Sequence, residues 1–494
     1  MPEFIDRNKG IHMEKRIGGM TGSTPEPGVR LTRIIATIGP SCADIGTIHD
    51  MIRAGMDIAR LNLSHGTFEE HQEVFLRIRL AAREIGRPVA IMVDIPGPKL
   101  RIRSLRNDLT FQQDEQVILA SDPNPGSIVV GPSAYIPDVQ PGDIILIGDG
   151  AVTLTVTKGG DIIRATVKAG GTIRPGAGVV IPGRRPKVPY ENDELVRNLS
   201  FAASMKPDFI ALSFVGSADH IHSVRTKLQK NGIRIPIIAK IETRLAVDRF
   251  EEIMAAADGI MVARGDLGVE LPIACVPHVQ KDIIRRCNKA GIPVITATEM
   301  LESMVEHTRP TRAEVTDVAN AIADGTDATM LSAETSIGIH PQLAIITMAQ
   351  IACETEKHLP YRQILSERAG WHEDNPEGII SYSACYLANE LASRAIVAFT
   401  RSGVTADRVS RCRPGTPILA ITPDESVGRR LLLRWGVIPC IHEPIHTVDE
   451  LFRISLDLTK AMGITCSGDR LVIIAGNFAG IQGTTNMIKV QIVP

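Results

Sequence analysis

Short runs of β-branched and other apolar residues recur along the first two thirds of the chain, each bounded by Gly, Pro or polar residues. Most runs are followed by an amphipathic stretch of helix length, and with one exception they lie roughly 20 to 35 residues apart, about one strand plus one helix. The eight runs are 33–39, 57–64, 89–95, 209–215, 236–242, 259–266, 293–299 and 328–334. This spacing predicts parallel strands joined by crossover helices.

Eight such units predict an α/β fold of the TIM (β/α)8 barrel type, and an open doubly wound sheet is the rival interpretation. In run after run the polar residues collect at the C-terminal end of the predicted strand. Because TIM barrels hold their active sites at that end of the strands, the distribution of polar residues favours the barrel.

The exceptional gap between the third and fourth runs has a different pattern. Residues 99–187 alternate apolar and polar positions and are rich in Gly and Pro, which predicts an inserted all-β domain. After about residue 366 a helix, EGIISYSACYLANELA, precedes five further apolar runs, which predicts a separate α/β domain. The predicted parts are a tail without packed structure (1–30), a barrel (31–98 and 188–366), the insertion (99–187) and a C-terminal domain (367–494).

Composition narrows the classes of protein that fit this pattern. The 494 residues include 54 Lys plus Arg and 56 Asp plus Glu, so no global field favours nucleic acid or an anionic membrane. The 8 cysteines form no CxxC pair, which is typical of reduced thiols in a cytosolic protein. No apolar run approaches the roughly 18 residues of a membrane span. We expect a soluble cytoplasmic protein with no nucleic-acid or membrane partner.

The fifth run places two opposite charges on one face of a strand. In IIAKIET, Lys240 and Glu242 alternate with apolar Ala239 and Ile241. Such charges at the end of a barrel strand are costly unless they are solvated, paired or used in function. A purely structural salt bridge is the alternative that the structure has to exclude.

The sixth run ends in ARGDLG and delivers a second carboxylate, Asp266, beside Glu242 on the neighbouring strand. Two carboxylates without Cys or His favour a hard divalent cation, Mg²⁺ or Mn²⁺. The backbone amides of Gly265 and Asp266, at the start of a short helix, are suited to a carboxylate or phosphate.

Further polar residues are predicted at the same rim of the barrel. The second run presents Arg60, Asn62 and Ser64 on one face with His65 beyond them, and the third ends in Asp94 followed by Lys99 and Arg101. The seventh and eighth runs add Thr298 and Ser332. The predicted rim thus combines cations, a two-carboxylate metal site and hydroxyls. This combination suits a transition state with delocalised negative charge, as in phosphoryl transfer or enolate chemistry.

These residues lie in segments that resemble the pyruvate kinase family, from about residue 31 to the end of the chain. The segments are ARLNLSHG, KIE, RGDLGVE, ATEMLESM, PTRAEVTDVANAIADGTDATMLSAET and FTRSGVTA, in the family's order. The resemblance implies a barrel with a β-barrel lid and a C-terminal α/β regulatory domain, usually in a homotetramer. It also implies the last step of glycolysis, in which phosphoenolpyruvate and ADP give pyruvate and ATP with Mg²⁺ (or Mn²⁺).

The resemblance also implies roles for individual residues. Lys240 matches the lysine that stabilises the transferring phosphoryl group and the enolate, Glu242 and Asp266 match the metal ligands, and Arg60 would hold the phosphate. The family's cradle for the substrate carboxylate matches Gly265, Asp266 and Thr298. The side of its site that faces the nucleotide matches Asn62, Ser64, His65 and Arg101. Either Thr298 or Ser332 would pass the proton to the enolate carbon, and the sequence does not choose between them.

One departure concerns the monovalent cation. Many members read DTKGPEIR after the third strand and need K⁺, whereas this chain reads DIPGPKLR, with Lys99 in place of glutamate. The lysine ammonium supplies a positive charge there, so the chain resembles the K⁺-independent branch. We therefore expect Lys99 to act as an internal cation and the family's monovalent site, at Asn62, Ser64, Asp94 and Ile95, to be unused.

Other departures are local. The lysine of the family's KGVNLPG segment is absent from GAGVVIPG, and Arg184, Arg185 or Lys187 would replace it. ATQM reads ATEM here, which adds Glu299, and Leu245 replaces the acid that commonly follows KIE.

The C-terminal segment TRSGVTA follows a predicted strand and opens a helix, so its hydroxyls and amides are suited to a phosphate. The segment lies in the family's effector loop, and its candidate residues for a phosphorylated effector are Thr400, Arg401, Ser402, Gly403 and Thr405.

Two alternative functions are a metabolite-binding paralogue without catalysis and another phosphoenolpyruvate-using barrel enzyme. The first would be expected to lose Lys240 or a metal ligand, and the second would need neither the lid nor Arg101.

Overall fold

The computed structural model describes residues 29–132, 136, 138–148, 150–184, 190–371, 375–476 and 485–494. The prediction of an unpacked tail over residues 1–30 falls almost entirely outside these residues. The domain boundaries drawn from the sequence stay predictions, and the architecture is described by its elements.

Eight parallel strands close into a barrel, and each of them lies within one of the eight apolar runs. In chain order, with the inserted strands numbered between them, they are β1 (Arg33–Thr37), β2 (Ile58–Asn62), β3 (Ala90–Ile95), β13 (Phe209–Leu212), β14 (Ile237–Ile241), β15 (Gly259–Ala263), β16 (Val294–Ala297) and β17 (Ala328–Leu331). The closed order β1-β17-β16-β15-β14-β13-β3-β2 confirms the barrel and rules out the open sheet.

Helices surround this barrel and connect its strands. They are α1 (Ile45–Ala54), α2 (Phe68–Ile85), α3 (Asp193–Met205), α4 (Ala218–Lys230), α5 (Arg244–Asp248), α6 (Phe250–Ala256), α7 (Arg264–Glu270), α8 (Val276–Ala290), α9 (Arg312–Asp324), α10 (Ala333–Ser336) and α11 (Pro341–Lys357), with 3₁₀ turns at Ile273–Cys275 and Glu302–Val305. Capping boxes at Thr67 and Thr311 satisfy the first free amides of α2 and α9. Buried apolar side chains fill both the barrel interior and the layer between strands and helices.

The insertion, called the lid below, is a second and smaller barrel with its own apolar core. Its strands are β4 (Leu100–Ile102), β5 (Leu109–Phe111), β6 (Gln116–Ala120), β7 (Ile128–Gly131), β8 (Ile144–Ile147), β9 (Val152–Lys158), β10 (Ile162–Ala169), β11 (Gly171–Ile173) and β12 (Gly178–Val180). Seven of them close in the order β10-β6-β7-β4-β12-β8-β9, and β11 pairs with β5. The predicted all-β insertion is therefore confirmed, as a closed barrel.

The C-terminal part is a five-stranded sheet flanked by helices, as predicted. Its elements are α12 (Tyr361–Glu367), α13 (Pro376–Glu390), β18 (Ala395–Phe399), α14 (Val404–Arg411), β19 (Ile418–Thr422), α15 (Glu425–Leu431), β20 (Val437–Ile441), α16 (Val448–Ala461), β21 (Arg470–Gly476) and β22 (Thr485–Ile492). The strand order is β20-β19-β18-β21-β22, and only β22 runs antiparallel to its neighbour. In the part of the chain that the structure describes, no helix combines the length and the apolar character needed to cross a membrane.

Candidate active site at the barrel mouth

A cavity of about 620 Å³, called the mouth cavity below, lies between the C-terminal ends of the barrel strands and the lid. Its wall contains nine of the residues predicted from the sequence: Arg60, Asn62, Ser64, His65, Lys99, Arg101, Lys240, Glu242 and Asp266. They arrive from β2 and β14 with the residues that follow these strands, from α7, and from the segment that leads from β3 into β4 of the lid, so closure of the barrel is what brings them together. The wall carries five cationic and three acidic side chains, so the cavity has a net positive charge suited to anionic ligands.

Lys240 is the centre of a buried charge network at the floor of this cavity. Its Nζ lies 2.8 Å from Glu242 Oε1 and 3.3 Å from both carboxylate oxygens of Asp94, and it donates to Ser213 Oγ at 2.7 Å. Burial alone would lower the pKa of Lys240, but Asp94 and Glu242 raise it above its ordinary value. The ammonium is therefore charged at neutral pH and stands ready to neutralise a developing anion.

Asp94 holds a second cation in place beside Lys240. Arg60 donates to Asp94 Oδ2 from Nε at 2.9 Å and from its terminal nitrogen at 2.7 Å, and its other terminal nitrogen donates to Thr37 Oγ1 at 2.9 Å. Burial would raise the pKa of Asp94, but Lys240 and Arg60 lower it below its ordinary value. Asp94 is thus an ionised anchor beneath the cavity, and it fixes the direction of both cationic side chains.

Glu242 and Asp266 lie together, as the adjacent strands β14 and β15 predict. Burial is the largest influence that raises the pKa of Glu242, Lys240 opposes it, and the charge of Asp266 raises it further. Glu242 Oε2 also accepts the backbone N–H of Phe214 at 2.7 Å, and Phe214 adopts a left-handed φ of 54° to present it.

Each of these two carboxylates faces a lysine ammonium. Lys240 contacts Glu242, and Lys99 Nζ lies 2.7 Å from Asp266 Oδ1. Two neighbouring carboxylates that both attract cations have the donor chemistry of a Mg²⁺ or Mn²⁺ site. In the described residues no group of three or more His, Cys, Asp or Glu side chains is arranged for a metal ion.

The hydroxyl of Thr298 lies beside Asp266, at the first turn of α7. Thr298 Oγ1 accepts the N–H of Gly265 at 2.8 Å and donates to the carbonyl of Ala297 at 2.7 Å. Thr298 and Glu299 have left-handed φ values of 65° and 54°, and the buried Arg264 donates to both of their carbonyls. Gly265, Asp266 and Thr298 are therefore adjacent, although Gly265 and Thr298 lie outside the wall of the mouth cavity.

Ser332 directly follows β17 and also lies outside that wall. Its N–H donates to Glu334 Oε2 at 2.7 Å, and its buried Oγ has no hydrogen-bond partner among the described residues. Of the two candidate proton donors, Ser332 is therefore the one whose hydroxyl proton is not already donated within the described structure.

The side of the cavity predicted to take the nucleotide is lined by Asn62, Ser64, His65 and Arg101. Burial, together with Arg101 and Arg60, lowers the pKa of His65, so its ring is neutral at pH 7. Asn62 Oδ1 accepts the N–H of Ser64 at 3.2 Å. Ile95, named for the monovalent site, has a buried side chain, and its carbonyl accepts the N–H of Ser213 at 3.2 Å.

Two residues of the network in the fourth barrel run were not singled out from the sequence, and neither was Thr37, which accepts from Arg60. Ser213 bridges Lys240 and Asp94, and Phe214 holds Glu242. Both stand in the run ALSFV, at the C-terminal end of the fourth barrel strand, where the other runs carry the predicted site residues. That position was the signal that could have identified them.

The C-terminal candidate residues form the turn between β18 and α14, with Thr405 in the first turn of α14. Gly403 has a φ of 97° and donates its N–H to Thr400 Oγ1 at 2.9 Å, while the hydroxyl of Thr405 is hydrogen-bonded to Thr485 of β22. Arg401 and Ser402 are exposed. Arg185 and Lys187, two of the candidate substitutes for the family lysine, lie outside the described residues. The third, Arg184, forms a two-bond pair with Asp143 at 2.9 Å.

Known protein families match both the barrel part and the C-terminal part of the chain. The family models "Pyruvate kinase, barrel domain" and "Pyruvate kinase, alpha/beta domain" match residues 29–345 and 379–491. Pyruvate kinases of Sporosarcina psychrophila and Geobacillus stearothermophilus are 40% and 41% identical to the chain, over 94% of it and over 81% and 80% of their own lengths. The pyruvate kinase of Clostridium acetobutylicum is 39% identical over 94% of the chain and 99% of its own length.

Proposed function

The chain belongs to the pyruvate kinase family, and we propose that the mouth cavity is where it transfers the phosphoryl group of phosphoenolpyruvate to ADP. The protein is a phosphotransferase that forms pyruvate and ATP. The observation that carries the site assignment is Lys240, a charged ammonium held by Asp94, Glu242 and Ser213 at the floor of a cationic cavity.

The assigned roles follow from the chemistry of the reaction. The P–O bond to the enol oxygen breaks, a new P–O bond forms to the terminal oxygen of ADP, and the enolate carbon takes a proton. Arg60 and Lys240 supply positive charge on the phosphoryl and enolate side, where negative charge is spread in the transition state. Asn62, Ser64, His65 and Arg101 line the side assigned to the nucleotide.

The family generally uses a divalent cation, and Glu242 and Asp266 are the side chains that would hold Mg²⁺ or Mn²⁺ here. The ion would contribute charge neutralisation of substrate oxygens. Gly265, Asp266 and Thr298 would orient the substrate carboxylate next to it. They are adjacent at the start of α7, where the N–H of Gly265 donates to Thr298 Oγ1 at 2.8 Å.

The direct test is a coupled assay for pyruvate from phosphoenolpyruvate, ADP and Mg²⁺. Turnover that requires all three components is expected. Well-folded protein without turnover would support the non-catalytic metabolite sensor, whereas lyase or aldolase activity without ADP would support another phosphoenolpyruvate-using barrel enzyme.

K⁺ independence is a finer part of the proposal. Lys99 supplies an ammonium on the cavity wall, and the carboxylate of Asp94 is engaged by Arg60 and Lys240. These contacts support the interpretation that Asn62, Ser64, Asp94 and Ile95 do not form a working monovalent site. Full activity is expected in tetramethylammonium buffer free of K⁺ and NH₄⁺. Strong activation by added K⁺ would contradict this part and leave the phosphotransferase assignment intact.

We assign the proton transfer to Ser332, because its hydroxyl is without a partner in the described structure whereas Thr298 already donates to Ala297. Ser332→Ala is expected to slow exchange of the pyruvate methyl protons with D₂O by about 10²-fold, the usual contribution of a general acid. Thr298→Ser keeps its hydroxyl and serves as the matched control. Exchange that survives in Ser332→Ala and fails in Thr298→Val would reverse the assignment.

Regulation and assembly are proposed on the C-terminal part. A phosphorylated effector would bind the turn of Thr400, Arg401, Ser402, Gly403 and Thr405, supported by its exposed Arg401 and its position before α14. Calorimetric titration with inorganic phosphate and sugar phosphates, repeated on Arg401→Ala, tests this site, and heats that are identical in both proteins would contradict it.

A homotetramer is supported by exposed apolar side chains on α13 and β22, among them Tyr386 and Ile492, which are 53% and 60% exposed. Light scattering after gel filtration tests this assembly, and a monomer at micromolar concentration would contradict it. A cytoplasmic location is proposed from the eight free cysteines.

A further inference from the structure

A second cavity, called the side cavity below, has a volume of about 360 Å³ and lies between the base of the lid and the barrel. Its wall combines lid residues around β12 with the segment that follows β14, and it shares Lys99 and Phe214 with the wall of the mouth cavity. A molecule in the side cavity would therefore be separated from the phosphoryl-transfer site by these two side chains. None of the residues assigned to substrate or nucleotide lines it.

The wall of the side cavity is mainly apolar. Val179 and Ile181 contribute from the lid, Phe214 and Leu245 from the barrel. An apolar wall favours a ligand with a hydrocarbon body and disfavours a sugar phosphate.

Stacked aromatic rings form another part of the wall. Tyr190 and His220 stack with ring centroids 3.9 Å apart and planes 11° apart. The hydroxyl of Tyr190 donates to the carbonyl of Ser213 at 2.9 Å, and burial lowers the pKa of His220, so both rings are neutral at pH 7. Flat aromatic faces beside an aliphatic wall are complementary to an aromatic ring.

The charged part of the wall is biased towards cations. Four cationic side chains, Lys99, Arg184, Arg244 and Arg249, line the cavity, against the two acids Asp248 and Glu270. Arg244 is 3.5 Å from Asp248, and Arg249 is 3.7 Å from Glu252, both in exposed pairs within a helix. Such pairs are weak, so either guanidinium can turn to a carboxylate at little cost.

Glu270 is the second acid in the wall, and burial raises its pKa. The backbone N–H groups of Arg244, on the barrel, and Gly183, on the lid, oppose this shift. Burial therefore favours the neutral form of this carboxyl group, which reduces its repulsion of an anion.

We propose that the side cavity binds a small aromatic monocarboxylate, with its ring against Leu245 and the Tyr190–His220 stack and its carboxylate on the guanidinium groups of Arg244 and Arg249. The volume is near the lower end of the roughly 300–1,000 Å³ typical of small-molecule sites, which fits one or two rings. Binding at this site can be measured without turnover, although Lys99 and Phe214 also line the mouth cavity.

The test is calorimetric titration of the full-length protein with 1-naphthoate, in Mg²⁺ and saturating phosphoenolpyruvate so that the mouth cavity is occupied. One saturable site is expected. Leu245→Glu is expected to weaken binding by at least about tenfold, because it puts a like charge and a polar group against the ring. Leu76→Glu, the same change on an exposed helix face, is the matched control and is expected to bind like the parent protein.

Two further arms keep the result decisive. Arg249→Gln is expected to weaken binding about fivefold through loss of one charged donor, and it tests the site if Leu245→Glu does not fold. 1-Naphthalenemethanol, which keeps the rings and lacks the charge, is expected to bind at least about fivefold more weakly than 1-naphthoate. Absence of saturable binding up to about 1 mM, equal binding by Leu245→Glu, or complete displacement by phosphoenolpyruvate would each overturn the proposal.

Discussion

The two ends of the barrel both bury carboxylates beside cations, but they arrange them differently. At the N-terminal end, every second strand of the barrel is directly preceded by an aspartate. These residues are Asp57, Asp208, Asp258 and Asp327. Each accepts a backbone N–H from the preceding strand, at 2.8 to 2.9 Å, and each pairs with at least one arginine. These aspartates bind strand to strand, and their charges are satisfied locally.

At the C-terminal end, the charges converge from different strands on one open cavity. Arg60 and Lys240 share Asp94 beneath the floor, while Glu242 and Asp266 attract separate ammonium groups. A buried ion pair is therefore no sign of function by itself, because this barrel has such pairs at both ends. What distinguishes the mouth is an excess of cations that faces space large enough for a ligand.

Lys240→Met tests the role of the charges at the mouth of the barrel and should have the largest effect on turnover. Loss of the ammonium that stabilises the transferring group is expected to lower kcat by about 10³–10⁵-fold, the range for a charged group that acts in the phosphoryl transition state. Steady-state kinetics measure this, with circular dichroism to establish the native fold. Lys281→Met, an exposed lysine on α8, is the control and should retain full activity.

Asp57→Asn tests the role of the charges at the N-terminal end of the barrel. The amide can still accept the N–H of Ile34, but Arg30, Arg33 and Arg87 lose their shared charge. Removal of one partner from a buried network should cost about 3–5 kcal/mol of stability. Urea unfolding measures this cost, while kcat per folded molecule should stay within about twofold because Asp57 is remote from the cavity.

Asp50→Asn is the matched control for this variant, because Asp50 forms only an exposed pair with Arg53. Its effect on stability should stay below about 1 kcal/mol. Lost turnover in folded Asp57→Asn would mean that the two ends are coupled rather than separate.

The pH dependence of stability tests whether the charge of Asp57 stabilises the N-terminal end of the barrel. Burial alone would raise the pKa of Asp57, but Arg30, Arg33 and Arg87 lower it from 3.8 to about 2. Because the folded pKa is depressed, its contribution is present above pH 3.8 and is lost as the pH falls through about 2. The stability difference between the parent protein and Asp57→Asn should be constant from about pH 7 to 5 and shrink by about 2 kcal/mol towards pH 2. A difference that does not change with pH would show that the arginine charges are not its source.

Local patterns predicted the strands well, because each barrel strand is a short β-branched run with a polar C-terminal end. The same patterns identified Lys240, Glu242 and Asp266 but not their contacts. Lys240 and its partner Asp94 are 146 residues apart in the sequence, and Lys99 and its partner Asp266 are 167 apart. Such pairs are determined by closure of the barrel and by the position of the lid on it.

The aspartates that precede alternate strands were visible in MDIAR, PDFIA, ADGIM and TDATM. Their role was hidden because an Asp before a strand is also an ordinary turn residue. Only the backbone N–H that each accepts from a neighbouring strand separates the two interpretations.

Lys99→Glu should have the smallest of these effects, and it tests whether the mouth carries its own cation. The change removes the ammonium that lies 2.7 Å from Asp266 and adds a carboxylate to the same wall. Activity in K⁺-free buffer should fall by at least about tenfold, since one missing charge interaction near the transition state is worth about 1.4 kcal/mol or more. Added KCl should restore most of it, because the new carboxylate can hold a monovalent cation. Lys168→Glu, on the exposed face of β10 in the lid, makes the same charge change away from the cavity and should show no K⁺ response. If Lys99→Glu stays fully active without K⁺, the positive charge at the mouth is supplied by Lys240, Arg60 and the divalent ion alone, and Lys99 serves only to hold Asp266.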